Sequence, residues 1–336
     1  MRETDFAYYL TRYFTSHLAD GRNVSQNTIK SYRDTFKLLL LYFQNTLNIP
    51  IRKIAIKSID SEIVIAFLEW LENDRKNSIS TRNQRLAAIH AFFRYLQIEK
   101  PDDLLQYQRI LSIPIKKCPR PVAEFLTPEM LKMILDEPDK NSLHGRRDLT
   151  VLSILYDTGA RVQELCDIRL RDFRLHSPAT IRLTGKGGKT RVVPLMKNSV
   201  SLLQTYLSDN RLKQMETPDY PLFFNQRYAK MTRGGIAYII EKYAKQAREK
   251  SLMIPEKISP HAFRHTKAMH LYQSGIPLIY IRDILGHVDL ATTQVYAKLD
   301  TELKRDALEQ VYPELTNHDM PDWNDNPNLL DLLLKL

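Results

Sequence analysis

"SPHAFRHTKAMHLYQSG" occupies residues 259–275. Ser259 suits a helix N-cap, Pro260 a first helical position and Gly275 a helix end, so the segment predicts one helix. Within it His261 and His265 are four apart, and His261 and Arg264 three apart, so each pair shares a face. A zinc site, a phosphate site and a plain basic helix are all compatible with that. The zinc reading lacks support, because Ala262 stands where H-E-x-x-H places its glutamate and no third ligand follows at diagnostic spacing. No metal or other cofactor is therefore expected. An imidazole and a guanidinium at a capped N-terminus, where free N–H groups and the macrodipole favour an anion, read better as a phosphate site. His265 and His270 are read as structural.

The whole chain favours an anionic partner. Its 336 residues carry a net charge of +10, with 43% hydrophobic residues, enough for two domains with cores of their own. Residues 1–120 hold 19 Lys and Arg against 12 Asp and Glu, residues 121–312 hold 29 against 22, and residues 313–336 hold 1 against 5. A basic balance suits nucleic acid or an anionic membrane surface, and two separately basic bodies with an acidic tail look less like chance than a merely basic soluble protein. No segment approaches the roughly 20 apolar residues of a membrane span, and the mixed, charged start does not read as a signal peptide. Cys118 and Cys166 form neither a disulfide framework nor a zinc ribbon. A cytoplasmic, nucleoid-associated protein is expected, with no membrane partner.

Residues 1–111 read as helices. Ser25 can cap "QNTIKSYRDTFKLLLLYFQ", and Asp60 or Ser61 can cap "DSEIVIAFLEWLEND". "STRNQRLAAIHAFFRYLQ" interleaves Arg82, Arg85 and Arg94 with apolar residues. Residues 112–126, with Pro and Lys/Arg crowded together, read as a basic linker. Thr127 and Pro128 restart helix. Beyond them, "RRDLTVLSILYDTGA" is a helix stopped by Gly159, and "RVQELCDIRLRDF" a short helix and turn. "ATIRLTGKGGKTRVVPL" is a β-hairpin with a basic tip. "PLIYIRDILGH" and "ATTQVYAKL" are further short helices.

Taken singly, Arg161 after "DTGA" can be a surface arginine, Lys186 a solvated turn lysine, and Tyr296 a core aromatic. "GKGGK" is not a P-loop, since the spacing fails and strands flank it on both sides. In order, however, "TGARVQEL", "GKGGKTRVVPL", "SPHAFRHTKAMHLYQSG" and "IRDILGHVDLATTQVYAKL" resemble the tyrosine recombinases, the lambda-integrase-like and Xer-type DNA-rearranging enzymes. The resemblance covers most of residues 127–300.

It implies a mostly α chain with a small β-sheet. A helical, SAM-like core-binding domain over 1–111 and a linker over 112–126 would precede an α+β catalytic domain over 127–312, the two closing as a C-shaped clamp on DNA. By matching position, Tyr296 would be the nucleophile and Arg161 and Arg264 the pair on the scissile phosphate. Lys186 would be the general acid, His261 and His287 would complete the pocket, and Glu164 would support it from behind, paired with Arg161 or a histidine. Arg82, Arg85, Lys116, Lys117 and Lys242 are candidates for phosphate contact. The implied partners are double-stranded recombination sites and further copies of the chain in a tetramer, with the leucine-rich end of the 313–336 tail docking on a neighbour or on its own domain. Integration, excision or transposition of a mobile element is the leading expectation, and Xer-type dimer resolution the alternative. A topoisomerase IB-like enzyme, a DNA-binding regulator and a His261–His265 metalloenzyme fit less well.

Overall fold

The computed structural model describes residues 4–18, 24–118, 125–212, 217–287 and 292–294. The chain divides into two compact units between Pro121 and Val122.

The first unit is helical. Helix α1 (Asp5–Arg12) runs on into a π-helical turn and is followed by α2 (Gln26–Asn45), α3 (Ser61–Asn73), α4 (Ile79–Glu99) and α5 (Leu104–Leu111). Side chains of Ser25, Asp60 and Ser78 accept the N–H groups of Thr28, Ile63 and Thr81, satisfying donors that a helix start leaves open. Asp60, rather than Ser61, is thus the cap of α3. Helices α2, α3 and α5 all pack on α4, so α4 buries Leu86, Ile89, Phe92, Phe93 and Leu96 around more than one stripe. Phe92 meets Phe6 and Phe36 edge-on. His90 Nε2 lies 3.0 Å from the Ile110 carbonyl and ties α4 to α5.

This packing corrects the reading of Arg82 as a phosphate contact and gives Arg85 partners within the helical unit. Arg82 is only 5% exposed. It donates to the Pro114 carbonyl and Asn83 Oδ1, and its Nε lies 3.4 Å from Glu72. Arg85 is half-buried and donates to Ser31 O and Thr35 Oγ1. Both brace the helices from within. Lys116 is exposed but bonded to both Glu72 oxygens at 2.9 Å, while Lys117 is exposed. Asn83 also bonds the Lys116 backbone in both directions, and Ile113 is buried. Residues 113–116 therefore pack with the helices before them.

The second unit is mixed. It contains α6 (Pro128–Asp136), α7 (Leu143–Thr158), α8 (Val162–Asp167), β1 (Phe173–Arg174), β2 (Thr180–Thr184), β3 (Thr190–Pro194), α9 (Lys197–Asp209), α10 (Arg233–Lys250), α11 (Pro260–Gln273) and α12 (Leu278–Leu285). The strands form an antiparallel sheet in the order β1-β2-β3, with Ile181 opposite Val193 and Leu183 opposite Arg191. β1 went unseen in the sequence because two residues show no period. Thr127 and Ser259 cap α6 and α11. α7 packs on α9 and α11, and α10 on α6, around a core that includes Leu152, Leu155, Ile181, Phe223, Ile240 and Phe263. Leu126 is fastened to α11 by Thr266 Oγ1 on its N–H and His270 Nε2 on its carbonyl, each at 2.9 Å, while His270 Nδ1 meets Tyr156 Oη at 2.9 Å.

Among the described residues no helix is long and apolar enough to cross a membrane. Tyr296, most of the "ATTQVYAKL" segment and the 313–336 tail lie outside the described residues, as does the Lys186 side chain.

Candidate active site

The site is built on two left-handed turns brought together by α11. Helix α7 ends at Gly159, with φ +56°, a conformation glycine adopts without the Cβ penalty. Thr158 Oγ1 donates to the Ile154 carbonyl at 2.6 Å and accepts the Ala160 N–H at 3.2 Å, closing the turn. Helix α12 ends the same way at Gly286, with φ +66°. A Cβ on Gly159 would lie 2.7 Å from Leu285 Cδ2, so the two turns touch.

Arg264, three residues beyond His261 on α11, is 4% exposed and clamps both turns. Its Nη1 donates to the Gly159 carbonyl and its Nη2 to the Leu285 carbonyl, each at 2.7 Å. Arg161 follows the first turn, and its Nη2 lies 3.5 Å from the Gly286 carbonyl. Its side chain is 41% exposed. The two guanidiniums thus converge on the same pair of turns, Arg264 inside and Arg161 at the surface. His261 is exposed at the N-terminus of α11.

Behind Arg161 stands Glu164, 3% exposed. Its Oε2 accepts the Arg161 backbone N–H at 2.9 Å and Arg191 Nη2 at 2.8 Å, and its Oε1 accepts Arg161 Nη1 at 2.7 Å. Burial pushes its carboxyl up, but the Arg191 and Arg161 hydrogen bonds outweigh that and hold it below the usual range. Of the two partners foreseen for Glu164, Arg161 is present; the other proves to be Arg191, from β3. Sequence reasoning missed Arg191. One signal was available: strand alternation puts Arg191 on the inward face with Val193, where a charge needs a partner.

His287 closes the constellation. Its Nδ1 lies 2.9 Å from the hydroxyl of Thr293, which is fully buried. Burial, and after it the charges of Arg264, Arg161, His265 and Arg191, push its pKa down to about 4. The imidazole is neutral at pH 7, inside a cluster of three arginines and one carboxylate. That net positive field suits an anion. His265 is half-buried, and burial, then His261 and Arg264, lower its pKa too.

The hairpin tip lies beside this cluster. A Cβ on Gly185 would be 3.1 Å from Glu164 Oε1 and 3.9 Å from Arg161 Nη1. The Lys186 backbone opens the 3-10 turn that follows. Lys242 lies elsewhere, on α10, its Nζ 3.1 Å from Tyr243 Oη and 3.8 Å from Asp148. Among the described residues no group of three or more His, Cys, Asp or Glu could hold a metal ion.

Residues 124–302, the stretch holding this constellation, match the phage integrase family, and residues 12–100 match the N-terminal SAM-like domain of phage integrases. The chain belongs to the phage integrase family. A Sinorhizobium fredii protein assigned as an integrase/recombinase, y4rC, is 34% identical over 93% of both chains. The tyrosine recombinase XerC of Pelotomaculum thermopropionicum is 32% identical over 89% of this chain and 95% of its own. This phage integrase family member also shares its fold with a XerH site-specific recombinase bound to palindromic difH, at TM-score 0.68 and 22% identity over 91% and 94% of the two chains. The Tn1549 transposon integrase with transposon right end DNA gives TM-score 0.68 and 17% identity over 89% and 98%. The expected fold class, mostly α with a small sheet, is the one observed.

Proposed function

We propose that this tyrosine recombinase cuts and rejoins double-stranded DNA at specific sites through a covalent link to Tyr296. The reading is carried by the convergence of Arg161 and Arg264 on two touching turns around the buried Glu164. A phosphodiester is anionic and repels nucleophiles. Two guanidiniums neutralise its non-bridging oxygens and do so most strongly as charge builds in the transition state. Arg264 is pre-aimed by the carbonyls of Gly159 and Leu285, so its placement costs no reorganisation during reaction. The neutral His287 is held at Nδ1 by the Thr293 hydroxyl, which leaves Nε2 as its ring nitrogen for the phosphate.

The Tyr296 hydroxyl attacks phosphorus and gives its proton to His261; the bond to the 5′ oxygen breaks, and Lys186 protonates that oxygen. The products are a 3′-phosphotyrosine and a free 5′-hydroxyl. A 5′-hydroxyl from the partner duplex reverses the step. One ester is exchanged for another each time, so no ATP is consumed, and the arginines supply the charge a metal otherwise brings. A tetramer on paired sites gives each cut strand its exchange partner. Mobility of a genetic element is the preferred role, supported by the likeness to the S. fredii integrase/recombinase; dimer resolution is the alternative, supported by that to XerC.

The test uses sheared DNA from around the protein's own gene, with EDTA present and ATP absent. The reaction is stopped with SDS and protein-bound DNA is sequenced. Adducts at one recurring site are expected. Tight binding without adducts would overturn the cutting reaction.

A further inference from the structure

We propose that Arg191 is a positioning residue for strand cleavage: it seats the β2–β3 hairpin, and with it Lys186, against the phosphate pocket. This rests on the reading of Lys186 as proton donor. Arg191 is the inward-facing cation of β3, its side chain 12% exposed. It fastens the strand to two other elements. Its Nη2 donates to Glu164 Oε2 on α8, and its Nε to the Ile284 carbonyl on α12, each at 2.8 Å. Its side chain lies across Gly286, where a Cβ would come within 2.9 Å of both Cδ and Nη1. A glycine there lets the guanidinium pass.

The register explains why this fastening governs the tip. Arg191 pairs with Leu183, two residues before Gly185, and Gly185 N–H bonds the Lys189 carbonyl at 2.7 Å to close the hairpin. Beyond that closure, a Cβ on Gly187 or Gly188 would meet nothing within 4 Å, and both glycines have positive φ. The tip therefore has support from its base and little from its glycines. The base is held where Arg191 meets Glu164, the carboxylate that also orients Arg161. The guanidinium holds Nε–H and Nη2–H in a fixed plane, aimed at the Ile284 carbonyl and the Glu164 carboxylate, a geometry that a lysine ammonium on its flexible stem does not preset.

The test follows mapping of the cleavage site. A duplex carrying sulfur in place of the scissile 5′ oxygen is compared with ordinary DNA. A thiolate leaves without a proton donor, because thiols have a pKa of about 8.5, far below that of an alcohol. Arg191→Met is expected to slow single-turnover cleavage of ordinary DNA, measured at saturating protein, about 100-fold, the effect of a misplaced catalytic group. The sulfur duplex is expected to restore its rate, as it restores that of Lys186→Ala. If Arg191→Met stays slow on sulfur while Lys186→Ala recovers, or is not slow on ordinary DNA, the proposal is overturned. If Lys186→Ala does not recover, the proton-donor reading falls and the proposal with it. Should Arg191→Met not fold, Arg191→Lys, which keeps a cation beside Glu164, carries the same comparison.

Discussion

Two groups of arginines, one in each unit, are used in opposite ways. In the first, Arg82 and Arg85 point into the helical packing and spend their donors on Pro114, Ser31 and Thr35, with Glu72 as counter-charge. Burial lowers the pKa of Arg82, and Glu72 pulls it back. In the second unit, Arg161 and Arg191 share the Glu164 carboxylate, and Arg264 clamps the two turns beside them. One set is balanced inside the fold; the other leaves uncompensated positive charge at a surface. What separates a bracing arginine from one that offers its charge to an anion is the local charge balance, and that is set by which elements meet.

Substitutions can break this contrast. The largest effect is expected at Arg264. Arg264→Ala should lower adduct formation by about 10²–10³-fold, the cost of losing a preorganised charge donor, and unpin both turns. Activity within tenfold of wild type would remove Arg264 from the site. Gly286→Ala comes next. Its positive φ and the 2.9 Å approach to Arg191 should cost about 1–3 kcal/mol in urea unfolding, and an unchanged midpoint would mean the turn relaxes freely. Arg82→Met should cost about 1–2 kcal/mol in the same assay, since Lys116 still faces Glu72, while the cleavage rate of the folded protein stays unchanged. A lost rate without lost stability would put Arg82 on DNA after all.

Acid gives a graded test. The folded pKa of His287, about 4, lies below its unfolded value near 6.5. Its unfolded form therefore takes a proton first, and the stability present above pH 6.5 is lost as pH falls towards 4. His287→Gln should flatten that slope in urea midpoints measured between pH 7 and pH 4. The smallest effect is expected at the exposed Lys117. Lys117→Ala should leave the melting temperature unchanged and lower the salt slope of DNA binding by about one. An unchanged slope would take Lys117 off the phosphates.

The sequence revealed what is local. Ser25, Asp60, Thr127 and Ser259 announce helix starts because a cap acts within three residues, and Gly159 announces a stop because only its own φ is at stake. His261 and Arg264 could be paired because one helix carries both. Contacts between elements were hidden. Arg191 reaches Glu164 across 27 residues and Ile284 across 93, and no local pattern encodes such a meeting. Arg82 looked like a surface cation for the same reason: its counter-charge and carbonyl partner come from α3 and from residue 114.

Strand exchange by the proposed route requires that Tyr296 carry the DNA. The adduct trapped with SDS is digested with nuclease and trypsin and examined by mass spectrometry, with Tyr296→Phe beside it. A nucleotide attached to the peptide containing Tyr296, and no adduct from Tyr296→Phe, is the predicted result. A nucleotide on any other residue, or adducts persisting in Tyr296→Phe, would contradict it.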